Sequence, residues 1–514
     1  MKKENLPKLS IIITTVIASF FIQVAGNGVH LLLPPPIQCA RSAEGGEGIG
    51  CTVEAYQRVW QDRRPCRAAR AVYPTTEAQI FQAVAWASRS GSKIKVVSRG
   101  VHSITKLVCP DGDSGLLVST HYYNSLIQVD PMSRTVTAHS GCYGVSVGGA
   151  ISTGAHGSGL WGLGSALHDY VVGMRLVVPA PPHEGYARII DLEDGHEDLD
   201  AARLSLGVLG VISTITFKLE PIFKRSVTLE LKGDDDLEDE IVRFAKAHEF
   251  AGVNWYPGTR KVLYKVDDRV DVASVGNGAY NCEGITDTSM ESITRNTIYT
   301  CFWNPLVNRS IFFYDVAISV PMSKAKDAIT EIRKLRDLSP DIMCTLGLLG
   351  GLWIRFQAKS KAYMGLAHDS VMFEFVHYRA REATLPRFRQ DLFEEIEQML
   401  LNKFDGQPHW GKNRILAFDD MHRRVRAMEK FMQVKKKFPP SISSPTSGPT
   451  PSLEMAQHEE PRKVCMSIVL WRACVYAGRT PIVILVTRGH FCRPGRVFNE
   501  ANVCKPEDSI SISF

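Results

Sequence analysis

The run VVSRGVHS at residues 96–103 constrains this chain more than any other stretch. Two β-branched residues lead into a small, flexible turn, so the pattern reads as a strand followed by a loop. That loop runs through Ser98, Arg99, Gly100 and Val101 to His102 and Ser103. Backbone N–H groups in such a loop approach a pyrophosphate closely, because no side chain intervenes. Neutral imidazole is also a competent nucleophile, so His102 has the chemistry to join covalently to an electrophilic cofactor carbon. A surface or hydrogen-bonding histidine fits the same turn, and this loop alone leaves both readings open.

A second glycine-rich segment, VGGAISTGAHGSG at 147–159, narrows the choice. It lacks the helix-opening G-x-G-x-x-G register of a dinucleotide fold and the Lys-Ser/Thr ending of a P-loop. Two further stretches follow, GSALHDYVVGMRLVV at 164–178 and LGVLGVISTITFKLE at 206–220, and HWGK stands at 409–412. In this order the motifs resemble the vanillyl-alcohol-oxidase-type flavoproteins, and within them the plant L-gulono-1,4-lactone oxidases, over about residues 48–438. The resemblance implies an α+β fold: a two-part PCMH-type FAD-binding domain with a smaller α+β substrate (cap) domain.

It also implies roles for particular residues. In the family, a His followed by Ser in the first loop carries flavin through the 8α carbon, and His102-Ser103 match it. Ser98, Arg99, Gly100 and Val101 complete that loop. Gly148, Gly149, Ser152, Thr153, Gly154 and Gly157 form the second, with amides and hydroxyls of the last four directed to the cofactor's phosphates. Gly210, Val211 and Ile212 belong to the same cofactor site. His156 either lines the flavin edge or is a structural histidine. Lys412, with His409 beside it, and Arg355 are the catalytic candidates, because fixed cations stabilise charge developing on flavin or substrate oxygen. Arg355 matches the arginine of a Glu-x-Arg pattern in related sugar and alditol oxidases. Trp353 stands where that carboxylate would be, so polyol recognition through it does not follow, and a surface arginine remains an alternative.

The implied reaction is FAD-dependent oxidation of L-gulono-1,4-lactone, or a related aldonolactone, at C2, giving the keto lactone that yields ascorbate. Oxygen or another acceptor reoxidises the flavin. The alternatives are a flavin enzyme of another sugar or polyol, and a catalytically impaired secretory relative.

At 514 residues the chain needs more than one core. Its net charge of +6 is not gathered into a basic stripe, which argues against a nucleic-acid partner. Lys2 and Lys3 precede an apolar run at 9–25, so residues 1–26 read as a signal peptide and place the chain in the secretory pathway, extracellular or luminal. If uncleaved, that run is a membrane anchor. Twelve cysteines then read as disulfide partners, with Cys51/Cys66 and Cys492/Cys504 as candidate staples. No C-x-x-C pair occurs, so no metal site is expected. Asn308-Arg309-Ser310 is a glycosylation sequon.

The remaining organisation follows from pattern. Residues 27–69 read as an N-terminal lead-in, mobile over 32–50, 70–223 as the flavin domain, 224–438 as the substrate domain, and 439–514 as a linker with a Cys-containing tail. Thr75-Thr76-Glu77 ahead of Ile80, Val84 and Ala87 predicts a capped amphipathic helix. Strands are expected at 116–119, 135–139, 310–320 and 370–378, and a helix at 385–401. Members of the family carry a helical crossover between the strand matching 135–139 and the second glycine loop. Here only SGCYGVS at 140–146 intervenes, too short for a parallel crossover, so that element is expected to be absent or rerouted, with apolar surface exposed.

Overall fold

The computed structural model describes residues 37–41, 48–53, 66–98, 105–110, 114–141, 146–276, 312–338, 343, 351–379, 389–438 and 490–506. The segments 1–26 and 99–104, the sequon and the 439–489 linker lie outside them, and with them Arg99, Gly100, Val101, His102 and Ser103.

Three sheets build the molecule. The first contains β1 (Ile37–Arg41), β2 (Gly48–Val53), β3 (Cys66–Val72), β4 (Ile94–Val97) and β5 (Leu116–Ser119), in the order β1-β2-β3-β5-β4. Helix α1 (Glu77–Ser90) connects β3 to β4, which both run parallel to β5. The expected capping box is present: Gln79 N donates to Thr76 Oγ1, and Thr76 N donates to Gln79 Oε1. Gly91 closes the helix at φ +64°, the left-handed geometry glycine adopts most easily. Ile80, Ala83, Val84 and Ala87 are buried at helical spacing and pack on Val177 and Val211 of the second sheet. Each fully buried Ile or Val contributes about 1.5–3 kcal/mol.

That second sheet is antiparallel. It contains β6 (Leu126–Asp130), β7 (Thr135–His139), β8 (Val171–Pro179), β9 (Ala187–Glu193) and β10 (Val211–Lys218), in the order β6-β7-β10-β8-β9. Strands β7 and β8 both pair antiparallel with β10 and so run parallel to each other. Residues 140–170 lie between them, and among the described ones no helix stands between β7 and the glycine segment. Its first part folds as a short helix, α2 (Val147–Ser152). The edge strand β6 leaves Leu126, Ile127 and Val129 exposed, apolar surface of the kind expected when a covering element is lost.

The third sheet is larger and antiparallel. It contains β11 (Lys224–Gly233), β12 (Gly252–Tyr256), β13 (Lys261–Val270), β14 (Phe312–Pro321), β15 (Leu352–Gln357), β16 (Ser370–Arg379) and β17 (Gln407–Pro408), ordered β11-β13-β12-β15-β16-β14-β17. Its strands alternate strictly. Val316, Ile318, Leu352, Ile354, Phe356, Phe373 and Phe375 point to one face, where α3 (Leu237–Ala247), α4 (Ala325–Leu338) and α5 (Gln390–Gln398) share the core. The other face carries polar residues and turns toward the flavin domain.

Three expectations need correction. The lead-in 27–69 is not unstructured where described: β1, β2 and the start of β3 extend the first sheet. Cys51 bonds to Cys39 and Cys66 to Cys109, so the Cys51/Cys66 staple is wrong. Its physical basis is register: on neighbouring strands Cys51 lies opposite Ala68, and Cys66 opposite Val53. Cys492 and Cys504 are register partners in the hairpin β18 (His490–Pro494) and β19 (Asn502–Pro506), but their side chains lie outside what the structure describes. Nor do the domain limits at 438 and 439 follow the packing. Trp410, Phe418, Met421, Val425, Met428, Phe431, Val434 and Phe438 share a core with Val171, Met174 and Ile215, on the flavin side. In the tail, Phe498, Ala501 and Val503 join the core of the third sheet, and Glu395 accepts the N–H groups of Val497 and Phe498.

Candidate active site

The polar face of the third sheet is set by strand register. Glu374 lies opposite Trp353 on β15 and opposite Ala317 on β14. Residues directly opposite share a face, as do residues two apart along a strand. Trp353, Arg355, Glu374 and Asp315 therefore project together, away from the helices. Above them the HWGK loop is tied down through Asn413. His409 N donates to Ala317 O at 2.9 Å, and Asn413 N to Asp315 O at 2.8 Å. The Asn413 side chain accepts from Ala317 N and donates to Ala317 O and His409 O. It does so at φ +74°, a left-handed conformation Asn tolerates better than most residues.

This clamp drops Lys412 between two carboxylates. Its Nζ contacts Glu374 Oε1 and lies 3.1 Å from Asp315 Oδ2, while Arg355 Nη2 stands 3.5 Å from Glu374 Oε2. Burial alone would depress the Lys412 ammonium, but Asp315 and Glu374 outweigh it and hold the pKa above its ordinary value. Burial would likewise raise Glu374, and there Lys412 and Arg355 prevail and keep it below the usual range. Asp315 is pushed up by burial and by the neighbouring Glu374 charge. The site thus holds a lysine fixed as a cation among charges that nearly cancel.

Two histidines face this cluster, His156 from the glycine segment of the flavin domain and His409 from the HWGK loop. His409 Nε2 donates to Gly154 O at 3.0 Å, and its Nδ1 accepts from Gly411 N. His156 Nδ1 donates to Gly157 O at 2.8 Å, which leaves Nε2 as the acceptor of a neutral ring. Their centroids are 5.3 Å apart. Burial lowers His156 to about 4, and burial with the neighbouring His156 and Lys412 lowers His409 well below its ordinary value. Both rings are therefore neutral near pH 7. An unfolded histidine binds a proton below about 6.5, whereas the folded His156 resists until about 4. Stability should accordingly fall as pH drops through that window, by on the order of 2 kcal/mol for His156 after allowance for partial exposure. Thermal melts between pH 7 and 4 check this, and a His156→Gln variant should show the shallower slope.

The phosphate end differs from expectation. Ser98 Oγ donates to Ser146 Oγ at 2.8 Å, which brings the first loop against the start of α2. Yet Gly148 N donates to Ser140 O and Gly149 N to Ser146 Oγ. Thr153 N and Oγ1 both donate to Gly149 O, Gly154 N to Ile151 O, and Gly157 N to Ser165 O. These amides and the Thr153 hydroxyl are bonded internally and are not offered to a phosphate, as the sequence reading had them. Gly148 N closes the segment onto Ser140 O, and Val147–Ser152 is a helical turn that uses its own amides. Ser152 is buried and its carbonyl accepts from Leu206 N. Gly210 immediately precedes β10, which Val211 and Ile212 open with their side chains in the core; a Cβ on Gly210 would lie 2.7 Å from Val178 Cγ1. Their side chains pack the sheet rather than line a cofactor site.

The comparisons bear on this arrangement. A family model described as FAD binding domain matches residues 68–145, and one described as D-arabinono-1,4-lactone oxidase matches 285–442. L-gulonolactone oxidase 3 of Arabidopsis thaliana is 34% identical, covering 95% of this chain and 97% of its own. The chain belongs to the L-gulonolactone oxidase family. Probable L-gulonolactone oxidase 6 of the same plant is 33% identical over 571 aligned positions, more than the 514 residues here, so that oxidase has segments this chain lacks. L-gulonolactone oxidase of Mus musculus is 23% identical, covering 74% of this chain and 94% of its own. Cholesterol oxidase from Brevibacterium sterolicum superposes with a TM-score of 0.56 at 14% identity, over 80% of this chain and 97% of that one, a likeness of fold.

Within an L-gulonolactone oxidase frame, the ring end of the site fits a flavin: a half-buried cation and neutral histidines stand where the two domains meet. The structure brings Arg355, His156, His409 and Lys412 together as a group. Sequence reasoning missed Glu374, Asp315 and Asn413. A carboxylate inside each apolar strand, FFYDVAISVP and SVMFEFVHYR, was the available signal, because buried Asp and Glu are rare unless paired.

Proposed function

We propose that this chain is an aldonolactone oxidase, converting the C2 hydroxyl of L-gulono-1,4-lactone or a close relative to the keto lactone that tautomerises to ascorbate. FAD, when bound, supplies the acceptor for the hydride leaving C2, and oxygen or another acceptor takes the electrons onward. The remaining work falls to the chain itself. Lys412 and Arg355 stabilise negative charge that develops during the transfer, from half-buried positions fixed by their ion pairs. His156 Nε2 is an unprotonated acceptor near pH 7, placed to take a hydrogen bond from the hydroxyl being oxidised. His102 would hold the flavin covalently, and residues 1–26 would send the chain into the secretory pathway.

The observation that carries this reading is Lys412, clamped by the HWGK loop between Glu374 and Asp315 and facing His156 and His409. A second reading, a member impaired in flavin loading, is supported by the internally bonded amides of 148–157. One experiment separates them. The chain is expressed through a secretory pathway, its flavin content measured, and a panel of aldonolactones, free sugars and alditols offered. Flavin-bearing protein that turns over lactones alone supports the first reading. Folded protein without flavin supports the second.

A further inference from the structure

Asp169 is a buried carboxylate whose hydrogen bonds serve the other domain. It belongs to the short turn Leu167–Tyr170, which leads into β8, and its side chain is 6% exposed. Oδ1 accepts from Ser360 Oγ at 2.7 Å and from Lys361 N at 3.3 Å, both on the connection between β15 and β16, and Oδ2 has no donor among the described residues. The serine is fully engaged. Its one proton goes to Asp169, so His168 Nε2 donates to it, as does Ala362 N, each at 3.0 Å. From Ser360 the connection folds back tightly, with Ser360 N donating to Leu366 O and Gly365 N to Ala362 O. A Cβ on Gly365 would lie 2.6 Å from both Cβ and Oγ of Ser360, so the turn is as tight as glycine allows. At its tip the Met364 carbonyl accepts from Trp410 Nε1 at 2.9 Å and from Gln407 Nε2 at 3.1 Å. Trp410 is the second residue of the HWGK loop, between His409 and Lys412. His168, Ser360, Met364, His409 and Trp410 line one cavity of about 30 Å³, so they meet by packing around a space too small for a lactone.

We infer that Asp169 is a positioning residue: through Ser360 and the Met364 carbonyl it sets where the HWGK loop stands relative to the flavin domain. The inference rests on the aldonolactone reading above and adds a residue that lies outside the reacting groups. The loop is held from two sides. Asn413 ties it to β14, and so fixes Lys412 within the third sheet. The bond from His409 to Gly154 O and the Trp410 bond to Met364 O, rooted on Asp169, tie the same loop to the flavin domain. Hydride transfer needs the donor carbon and its acceptor in contact, and a misplacement of about 1 Å can cost on the order of a hundredfold. A flavin held by one domain and a lactone held against Lys412 and Arg355 of the other react only as fast as the two parts are kept in place. Loss of Asp169 should therefore slow the chemical step and spare lactone binding, whose cations are on the third-sheet side.

The test follows two readouts in the full-length chain: anaerobic flavin reduction by L-gulono-1,4-lactone, and amide hydrogen exchange at residues 407–413. In Asp169→Ala the limiting reduction rate should fall about tenfold or more, while the lactone concentration giving half that rate stays within about twofold. Exchange at 407–413 should quicken about tenfold, with α3 on the far face of the third sheet unchanged. Asp169→Asn keeps an acceptor oxygen for Ser360 and should recover most of the rate. Should the alanine form fail to fold, Ser360→Ala, which leaves the carboxylate in place, carries the same expectations. A limiting rate and an exchange rate at 407–413 that both match the wild type would overturn the inference. So would a raised half-saturating concentration at an unchanged limiting rate, or exchange quickened equally throughout the third sheet. Exchange needs neither flavin nor turnover, so a wild type that oxidises no lactone strikes at the proposed function, while exchange at 407–413 still decides the role of Asp169.

Discussion

Lys412→Met is expected to lower lactone turnover by about a thousandfold, since removing a preorganised group that stabilises transition-state charge costs on the order of 10²–10³ and the neighbouring carboxylates lose their counter-charge. The same substitution should cost stability. Lys412 is the shared partner of Glu374 and Asp315, so its removal leaves two buried carboxylates with Arg355 alone. Breaking a buried pair from one side costs about 3–5 kcal/mol. The sign of the pH dependence follows. In the variant both carboxyls have raised folded-state pKa values, so stability is lost as pH rises and partly returns on acidification. Lys412→Arg keeps the charge on a planar, longer group and should restore stability better than turnover. Melts at two pH values, beside single-turnover flavin reduction, measure both effects.

His102→Ala is expected to abolish covalent flavin altogether. Acid-denatured wild type should carry flavin fluorescence on the protein band, and the variant none. The disulfide Cys66–Cys109 anchors the chain shortly beyond this loop, and Ser98 anchors it before, so the substitution changes one side chain between fixed points. Native variant that still binds flavin reversibly would separate attachment from recognition. Fluorescence surviving in the variant would assign attachment to another residue.

The parts of the fold written in local pattern were legible in the sequence. Thr75-Thr76-Glu77 ahead of Ile80, Val84 and Ala87 announces α1 because a cap and an apolar stripe are local signals, and the expected strand ranges at 116–119 and 135–139 are those of β5 and β7. Lys412, His409 and Arg355 were found through motif. Glu374 and Asp315 were not, because they join the site through strand register, which depends on pairing between residues far apart in sequence. The short 140–146 connection was visible as a missing length. The closing of Gly148 onto Ser140 was not, since it depends on three-dimensional proximity. The cysteines show the same limit: Cys51 bonds to Cys39, which the β1–β2 pairing brings beside it, and Cys66 to Cys109, 43 residues away and outside any strand.

The most direct measurement is the visible spectrum of the purified full-length chain before and after anaerobic addition of L-gulono-1,4-lactone. The account predicts flavin bands in the resting protein that bleach on addition of lactone and return with oxygen or another acceptor. Bands that persist unchanged in the presence of every aldonolactone offered, or folded protein with no bands at all, would contradict it.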